Sequence, residues 1–343
     1  MTISKMLPAA VAALVLSACG GSSEQPQNLT GAGATFPYPM YSKWFSEYQK
    51  LHPLVQINYQ SQGSGAGIRQ VTEGTVDFGA SDQPMTDEQI QKFRETRSTG
   101  VLHFPTVMGA VVPTYNLPGV TAELNFTPDA LAGIFLGKVK KWNDPAIASA
   151  NPDVKLPAED IVVVHRSDGS GTTFVWVDYL SKVSPEWAAG PGRGTAINWP
   201  VGLGGKGNEG VTGLLKQTPN SLGYTEMIFA VQNKMLMGRV QNAAGKFVKA
   251  SPESITQAAL GIPVPEDFRV SITNPAGEAA YPISSFTWLL IPETIADAAK
   301  RTVITDFLTW MLGPGQALAP ALEFAPLPAA VVASEQAAIA KIK

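Results

Sequence analysis

Downstream of residue 28, apolar positions switch repeatedly between a spacing of about two residues and one of about 3.6, the periods of strands and amphipathic helices. Residues 28–32 predict a first strand, and 40–48 carry apolar side chains at helical spacing. Residues 55–59 alternate as a strand and run into Gly63-Ser64-Gly65, after which a helix is expected from near Ala66. Residues 76–81 predict a strand closing on Asp82 and Pro84, and Thr86-Asp87-Glu88-Gln89 opens a helix with acidic residues in its first turn. The apolar stretch 104–112 contains Pro105 and Gly109 and reads as a segment crossing between two lobes. Thr127 is placed to cap a helix carrying Leu131, Ile134 and Phe135. Residues 160–165 read as a strand buried on both faces. Asn208-Glu209-Gly210 opens a helix with Val211, Leu214 and Leu215, and 221–224 returns as a strand. A second extended apolar segment, 281–291, resembles the first crossing, and helices near 294–312 and 328–341 close the chain. This alternation predicts α/β architecture with largely parallel sheets. Two crossings assemble one lobe from both ends of the chain and the other from its middle.

The N-terminus departs from this pattern. Lys5 precedes an apolar run from Met6 to Leu16, about half the length that spans a bilayer, so the segment reads as a targeting signal. It ends in Leu16-Ser17-Ala18-Cys19, which resembles the lipobox of bacterial lipoproteins, with Cys19 as the lipidated residue. The alternative is an ordinary secretory peptide. Cys19 is the single cysteine, which excludes an internal disulfide and any cysteine-based metal site. Residues 20–28 have the composition of a flexible tether. The organisation expected is therefore a signal peptide over 1–18, a lipid-anchored tether over 19–28, lobe I from 29–106 with 284–343, and lobe II from 107–283. Such a protein is exported and held at the outer face of the cell envelope or in the periplasm.

A net charge of −3 and the lack of a clustered basic face argue against nucleic acid as a partner. They also imply that any anion is captured by local dipoles and not by a broad positive field. Three short segments offer such dipoles: Ala32-Gly33-Ala34-Thr35-Phe36-Pro37, Gly63-Ser64-Gly65-Ala66-Gly67 and Arg166-Ser167-Asp168-Gly169-Ser170-Gly171-Thr172-Thr173. Each mixes glycine with hydroxyl residues ahead of a predicted helix, whose first N–H groups and partial positive charge form an anion seat. Thr35 is expected to cap its helix and direct its hydroxyl and the Phe36 N–H into the site; Ser64 is expected to do the same for the second helix. Arg166, at the carboxyl end of a strand, can fork two hydrogen bonds onto an oxyanion, with Ser170, Gly171 and Thr172 at the next helix start and Asp168 steadying the guanidinium. Asp82 is the odd member. A carboxylate repels an anion unless that anion brings a proton, as hydrogen phosphate does and sulfate does not.

Rival motifs fail. Gly204-Gly205-Lys206-Gly207 lacks the Ser or Thr a P-loop needs after its lysine, and Pro200 stands where its first glycine belongs. A nucleophile elbow around Ser170 would need glycine where Asp168 sits. His52, His103 and His165 show no metal-ligand spacing, so no metal or cofactor is expected, and His103 and His165 read as structural.

Residues 29–37, 77–82, 104–107, 137–142 (Gly137-Lys138-Val139-Lys140-Lys141-Trp142), 166–172 and 199–208 (Trp199-Pro200-Val201-Gly202-Leu203-Gly204-Gly205-Lys206-Gly207-Asn208), in this order, make the chain resemble the phosphate-binding subunits of bacterial high-affinity phosphate ABC transporters. The resemblance covers nearly the whole mature chain. It implies a two-lobed type II periplasmic-binding-protein fold, each lobe a mostly parallel sheet flanked by helices, joined by two crossing segments. It further implies inorganic phosphate held by Thr35, Phe36, Ser64, Asp82, Arg166, Ser170, Gly171 and Thr172, with Asp168 behind Arg166. The partners implied are the permease and ATPase subunits of the importer, and membrane lipid through Cys19. Around the second loop the family shows Gly-Ser-Ser-Gly-Gly, whereas this chain keeps Ser64 but has Gly65 in place of the next hydroxyl. A binding protein, not an enzyme, is the reading that follows. The other readings are an exported phosphatase using the same pocket, or a receptor for another tetrahedral oxyanion.

Overall fold

The computed structural model describes residues 26–343. The predicted signal peptide, Cys19 and nearly all of the tether lie outside the described residues. Among the described residues the strands are β1 (Gln27–Gly33), β2 (Val55–Ser61), β3 (Phe78–Ser81), β4 (Val101–Asn116), β5 (Asn125–Phe126), β6 (Val162–Arg166), β7 (Leu203–Gly205), β8 (Ser221–Glu226), β9 (Leu236–Met237), β10 (Arg239–Gln241), β11 (Phe247–Val248) and β12 (Ser284–Pro292).

Nine of these form one sheet in the order β2-β1-β3-β12-β4-β8-β6-β7, with β9 also on β4. Within lobe I, β2, β1 and β3 run parallel, and β12 returns antiparallel against β3. Within lobe II, β8, β6 and β7 run parallel. Strand β4 joins the two: it pairs with β12 from Val101 to Ala110 and with β8 from Val111 to Asn116. Its long apolar run is what this position demands, since Val107, Met108, Ala110, Val111 and Val112 are fully buried between layers. The second connection lies beside it, where Val111 N–H donates to Ile283 O at 2.9 Å and Tyr281 OH to Val111 O at 3.0 Å. The two expected crossings thus sit side by side, and each lobe carries three parallel strands. A small sheet of β11, β10 and β5 is added to lobe II.

The joint carries one irregularity. The β12–β4 register shifts between Thr287, opposite Val107, and Trp288, opposite Pro105, so Thr106 is an extra residue in the ladder. Such a bulge twists a strand and re-aims the side chains beside it. Proline at 105, which cannot donate to the ladder, is suited to that place.

Helices cover both lobes. In lobe I the Ser64–Glu73 helix lies against the ends of β1 and β3 so closely that a Cβ on Gly67 would sit 2.6 Å from Gly33 Cα and Ala80 O. Only glycine fits there. Two details of the sequence reading change. That helix begins at Ser64, ahead of Ala66, and β6 starts at Val162 instead of Asp160; its neighbours Val163 and Val164 are buried on opposite faces, while Val162 and His165 are partly exposed. His165 stacks on Trp199, ring centroids 4.7 Å apart, and its Nδ1 meets Arg166 O at 3.0 Å, so its role is packing.

Candidate functional site

The parallel strands of both lobes end at the same place. Strand β1 leads into Thr35 and Phe36, β3 into Asp82, and β6 ends on Arg166. The helices Ser64–Glu73, Gly171–Val183 and Gly207–Gln217 begin there. Thr35, Phe36, Ser64, Asp82, Arg166, Ser170 and Thr172 are each exposed by no more than 2%. Burying this many polar groups is tolerable only because almost all are bonded.

The lobe II half is built on an ion pair. Arg166 Nε donates to Asp168 Oδ1 at 2.8 Å and Nη2 to Oδ2 at 2.6 Å, a fork that fixes the guanidinium plane. Gly207 N–H also donates to Asp168 Oδ1, at 3.0 Å. Burial pushes the Asp168 carboxyl up, but the bonds and charge of Arg166 and the Gly207 N–H outweigh it and hold the group below the usual carboxylate range. Arg166 Nη1 reaches Thr172 Oγ1 at 3.3 Å. One N–H on each terminal nitrogen is then left for another acceptor. Behind the arginine, Tyr224 OH takes the Arg166 backbone N–H at 3.2 Å and shares a 2.6 Å bond with Thr173 Oγ1, tying the strand end to the helix start. Ser170 is the N-cap of that helix, its Oγ accepting from Thr173 N–H at 3.0 Å.

The lobe I half centres on Asp82. Thr287, aimed by the bulge, donates to Asp82 Oδ1 at 2.8 Å, and Ser64 Oγ lies 3.4 Å from Oδ2 while accepting the Asp82 N–H at 3.2 Å. Burial drives the carboxyl up to about 7, against the pull of Thr287, the Arg166 charge and Ser64. Replacing Thr287 with valine removes one of these downward pulls at nearly constant volume. The Asp82 carboxyl should then titrate above its present value of about 7, which carbon-13 NMR of the labelled side chain would read. An unmoved midpoint would mean that this bond does not hold the carboxylate.

The halves touch. Gly171 N–H of lobe II donates to Ser64 Oγ of lobe I at 3.1 Å, and Gly65 N–H donates to Gly169 O at 2.9 Å. From lobe II, Asn208 donates to Thr35 Oγ1 through its backbone at 3.3 Å and through Nδ2 at 2.8 Å. The cleft is therefore shut over the site. Among the described residues no group of His, Cys, Asp and Glu is arranged to hold a metal ion. No helix among them is long and apolar enough to cross a membrane.

Every residue that the sequence reading assigned to the anion site, from Thr35 to Thr172, is in this cluster, but two local roles differ. Thr35 does not cap its helix: Pro37 holds the N-cap position, and the Thr35 hydroxyl is occupied by Asn208. Ser64 does not cap either: it is the first helical residue after Gly63, and its Oγ serves Asp82 and Gly171. In both cases N–H donors from distant segments win over the local helix end. Phe36 contributes its ring to the core, against Phe324, and among the described residues its backbone N–H has no acceptor. Sequence reasoning missed Asn208, Thr287 and Tyr224. The sequence marks Asn208 as a helix opener and as the last residue of the 199–208 motif, and Thr287 only as one position in an apolar strand.

A model of the PBP superfamily domain matches residues 20–314 of this chain. The chain is similar to the phosphate-binding protein PstS of Xylella fastidiosa (strain Temecula1), 46% identical over 312 residues that cover 90% of this chain and 84% of that one. The phosphate-binding protein PstS of Pasteurella multocida (strain Pm70) is 44% identical over 316 residues, covering 91% and 90%. Among solved structures, that of a high-affinity periplasmic phosphate-binding protein bound with phosphate aligns with a TM-score of 0.73 at 23% identity, covering 91% of this chain and 93% of that one. That last likeness establishes the two-lobed fold.

Proposed function

We propose, for a chain that belongs to the PBP superfamily and within it to the phosphate-binding PstS proteins, that it binds inorganic phosphate between its lobes and passes it to an ABC importer. In this reading lobe I comprises 29–106 and 284–343, lobe II comprises 107–283, and the protein works outside the cytoplasmic membrane, anchored through lipid on Cys19. The last point rests on Leu16-Ser17-Ala18-Cys19 alone.

The observation that carries the proposal is the pairing of a buried, isolated acceptor with a ring of donors. Arg166, the Phe36 N–H, the start of the Gly171–Val183 helix and the hydroxyls of Thr35, Ser64, Ser170 and Thr172 all favour an oxyanion. Asp82 faces the same space and accepts. Because burial already makes its negative charge costly, an anion brought beside it must supply a proton for the two to share. Hydrogen phosphate has that proton at neutral pH, and sulfate does not. Asp168 is neutralised by Arg166, so the anion meets one net carboxylate and several dipoles, in keeping with a chain whose charge is −3.

Calorimetry on protein freed of bound ligand tests this. Phosphate should bind at about micromolar affinity or tighter, as expected for a handful of charge-assisted bonds less ordering costs, and sulfate should not register at millimolar concentration. Equal binding of both anions would overturn the assignment. Asp82→Asn should narrow the gap between phosphate and sulfate by at least about tenfold, since an amide donates to sulfate where a carboxylate repels it. Sulfate still excluded by that variant would remove Asp82 from the selection.

The same variant has a signature in the ligand-free protein. A carboxyl whose folded pKa is raised favours the fold below its unfolded value and loses that contribution as pH rises through about 7. Thermal melts of Asp82→Asn should therefore fall less than wild type between about pH 4 and about pH 7.

A further inference from the structure

Asn208 is wholly buried where the two lobes meet, and every polar atom of its side chain is used. Its Oδ1 accepts from Glu226 N–H at 3.1 Å and from Thr225 Oγ1 at 3.0 Å. A backbone N–H only donates, so the oxygen must lie on that side and the amide cannot be flipped. The Nδ2 group is thereby turned toward the site as a pure donor, reaching Thr35 Oγ1 at 2.8 Å and Thr172 Oγ1 at 3.2 Å.

A hydroxyl has one proton and two lone pairs. Thr35 Oγ1 accepts from Asn208 Nδ2 and from Asn208 N–H, the second at 3.3 Å. Thr172 Oγ1 accepts from Asn208 Nδ2 and from Arg166 Nη1, the second at 3.3 Å. Both lone pairs of both hydroxyls are then filled by N–H donors, and each proton has one direction left, away from Asn208. A hydroxyl free to rotate can face an anion with either its proton or its lone pairs; these two cannot.

We propose that Asn208 is a positioning residue that sets the proton polarity of the site, holding Thr35 and Thr172 as donors toward the bound anion while fastening lobe II to lobe I. Neither threonine can then compete with Asp82 as an acceptor, and discrimination between protonated and unprotonated anions depends on Asn208 as well as on Asp82. The proposal rests on the phosphate-binding reading above, and Asn208 acts through the two threonines without touching the ligand.

A double-mutant cycle read by calorimetry with inorganic phosphate tests it, on the mature protein freed of ligand. In the wild-type background Asn208→Ala should weaken binding by about tenfold, and Asn208→Asp by at least about a hundredfold. The aspartate keeps the shape of the side chain but offers acceptors to both hydroxyls and turns their protons inward. In a Thr35→Val/Thr172→Val background, Asn208→Ala should cost less than about threefold. The criterion is the ratio of the two losses. If the loss is at least about threefold larger when the threonines are present, Asn208 acts through their hydroxyls. If the ratio is smaller, the residue serves the fold or the closure alone and the proposal fails. Should Asn208→Ala not fold, the same cycle run with Asn208→Asp gives the ratio, because its added charge acts in both backgrounds and cancels. Wild-type protein titrated alongside separates the two levels: no phosphate binding there defeats the functional reading, whereas binding there with a flat cycle defeats only the role of Asn208.

Discussion

Arg166→Ala should weaken phosphate binding by at least about a hundredfold while leaving the lobe folded. The guanidinium has two N–H groups beyond those held by Asp168 and Thr172, and charge-assisted hydrogen bonds contribute about 1.5–3 kcal/mol each. Losing both corresponds to about two to four orders of magnitude in affinity. A second penalty adds to this. Without Arg166, the Asp168 carboxylate is left with the Gly207 N–H and no counter-charge, close to where the anion sits. Arg166→Lys separates the two contributions: it restores the charge but not the fork, so it should recover part of the loss and remain at least about tenfold weaker than wild type. Calorimetric titration reads both, with circular dichroism to establish that the variants are folded. An unchanged phosphate isotherm for Arg166→Ala would take the arginine out of the site.

The contrast between Arg166 and Asn208 shows how far the sequence could be read. Arg166, Asp168 and the Ser170 cap lie within five positions of one another, on a strand end and the helix that follows, so their geometry is local and the pattern displays it. The same is true of the helix that opens at Thr86-Asp87-Glu88-Gln89, which the structure closes with a Thr86–Gln89 capping box, and of the Thr127 cap. The crossing segments were legible because a strand with both faces covered must be largely apolar, and β4 is so over 104–112, where Thr106 is the one polar side chain. Asn208 bonds to Thr35, 173 positions away, and Thr287 to Asp82, 205 positions away. Locally an asparagine at a helix start reads as a turn or opening residue, and a threonine between two aromatic residues and ahead of a leucine pair reads as strand propensity. Nothing in the nearby residues marks them as anything else. The roles given to Thr35 and Ser64 failed for the same reason in reverse: a hydroxyl before a helix is an ordinary cap signal, and only the tertiary partner reveals that the hydroxyl is already taken.

Shutting the cleft brings Asp82, Ser64 and Gly171 together, which means that the donor ring exists only when the lobes are closed. Ligand and closure are then two views of one equilibrium: phosphate can favour the closed form only by the bonds it gains there and lacks in the open form. Residues at the contact between lobes should therefore affect affinity without affecting the stability of either lobe.

Gly171→Ala is the sharpest case. Gly171 is the first residue of its helix, where alanine is at least as good a helix former as glycine, so lobe II should not be weakened. A Cβ there, however, would lie 2.4 Å from Ser64 Oγ and 2.5 Å from Asp82 Oδ2. Both atoms belong to lobe I, and both residues are buried and held by further bonds, so neither can retreat cheaply. The whole steric cost falls on the closed form. Phosphate affinity should drop by about a hundredfold or more, a shift of about 2.7 kcal/mol or more in the closing equilibrium. The ligand-free melting temperature should stay within about two degrees of wild type, since the clash is with the other lobe and opening the cleft relieves it. Small-angle X-ray scattering gives the complementary view: wild type should compact on adding millimolar phosphate, and the variant should not. A variant that compacts and binds like wild type would show that Gly171 does not meet Ser64 and Asp82 in the bound state, and that the bonds between them belong to some other arrangement of the lobes.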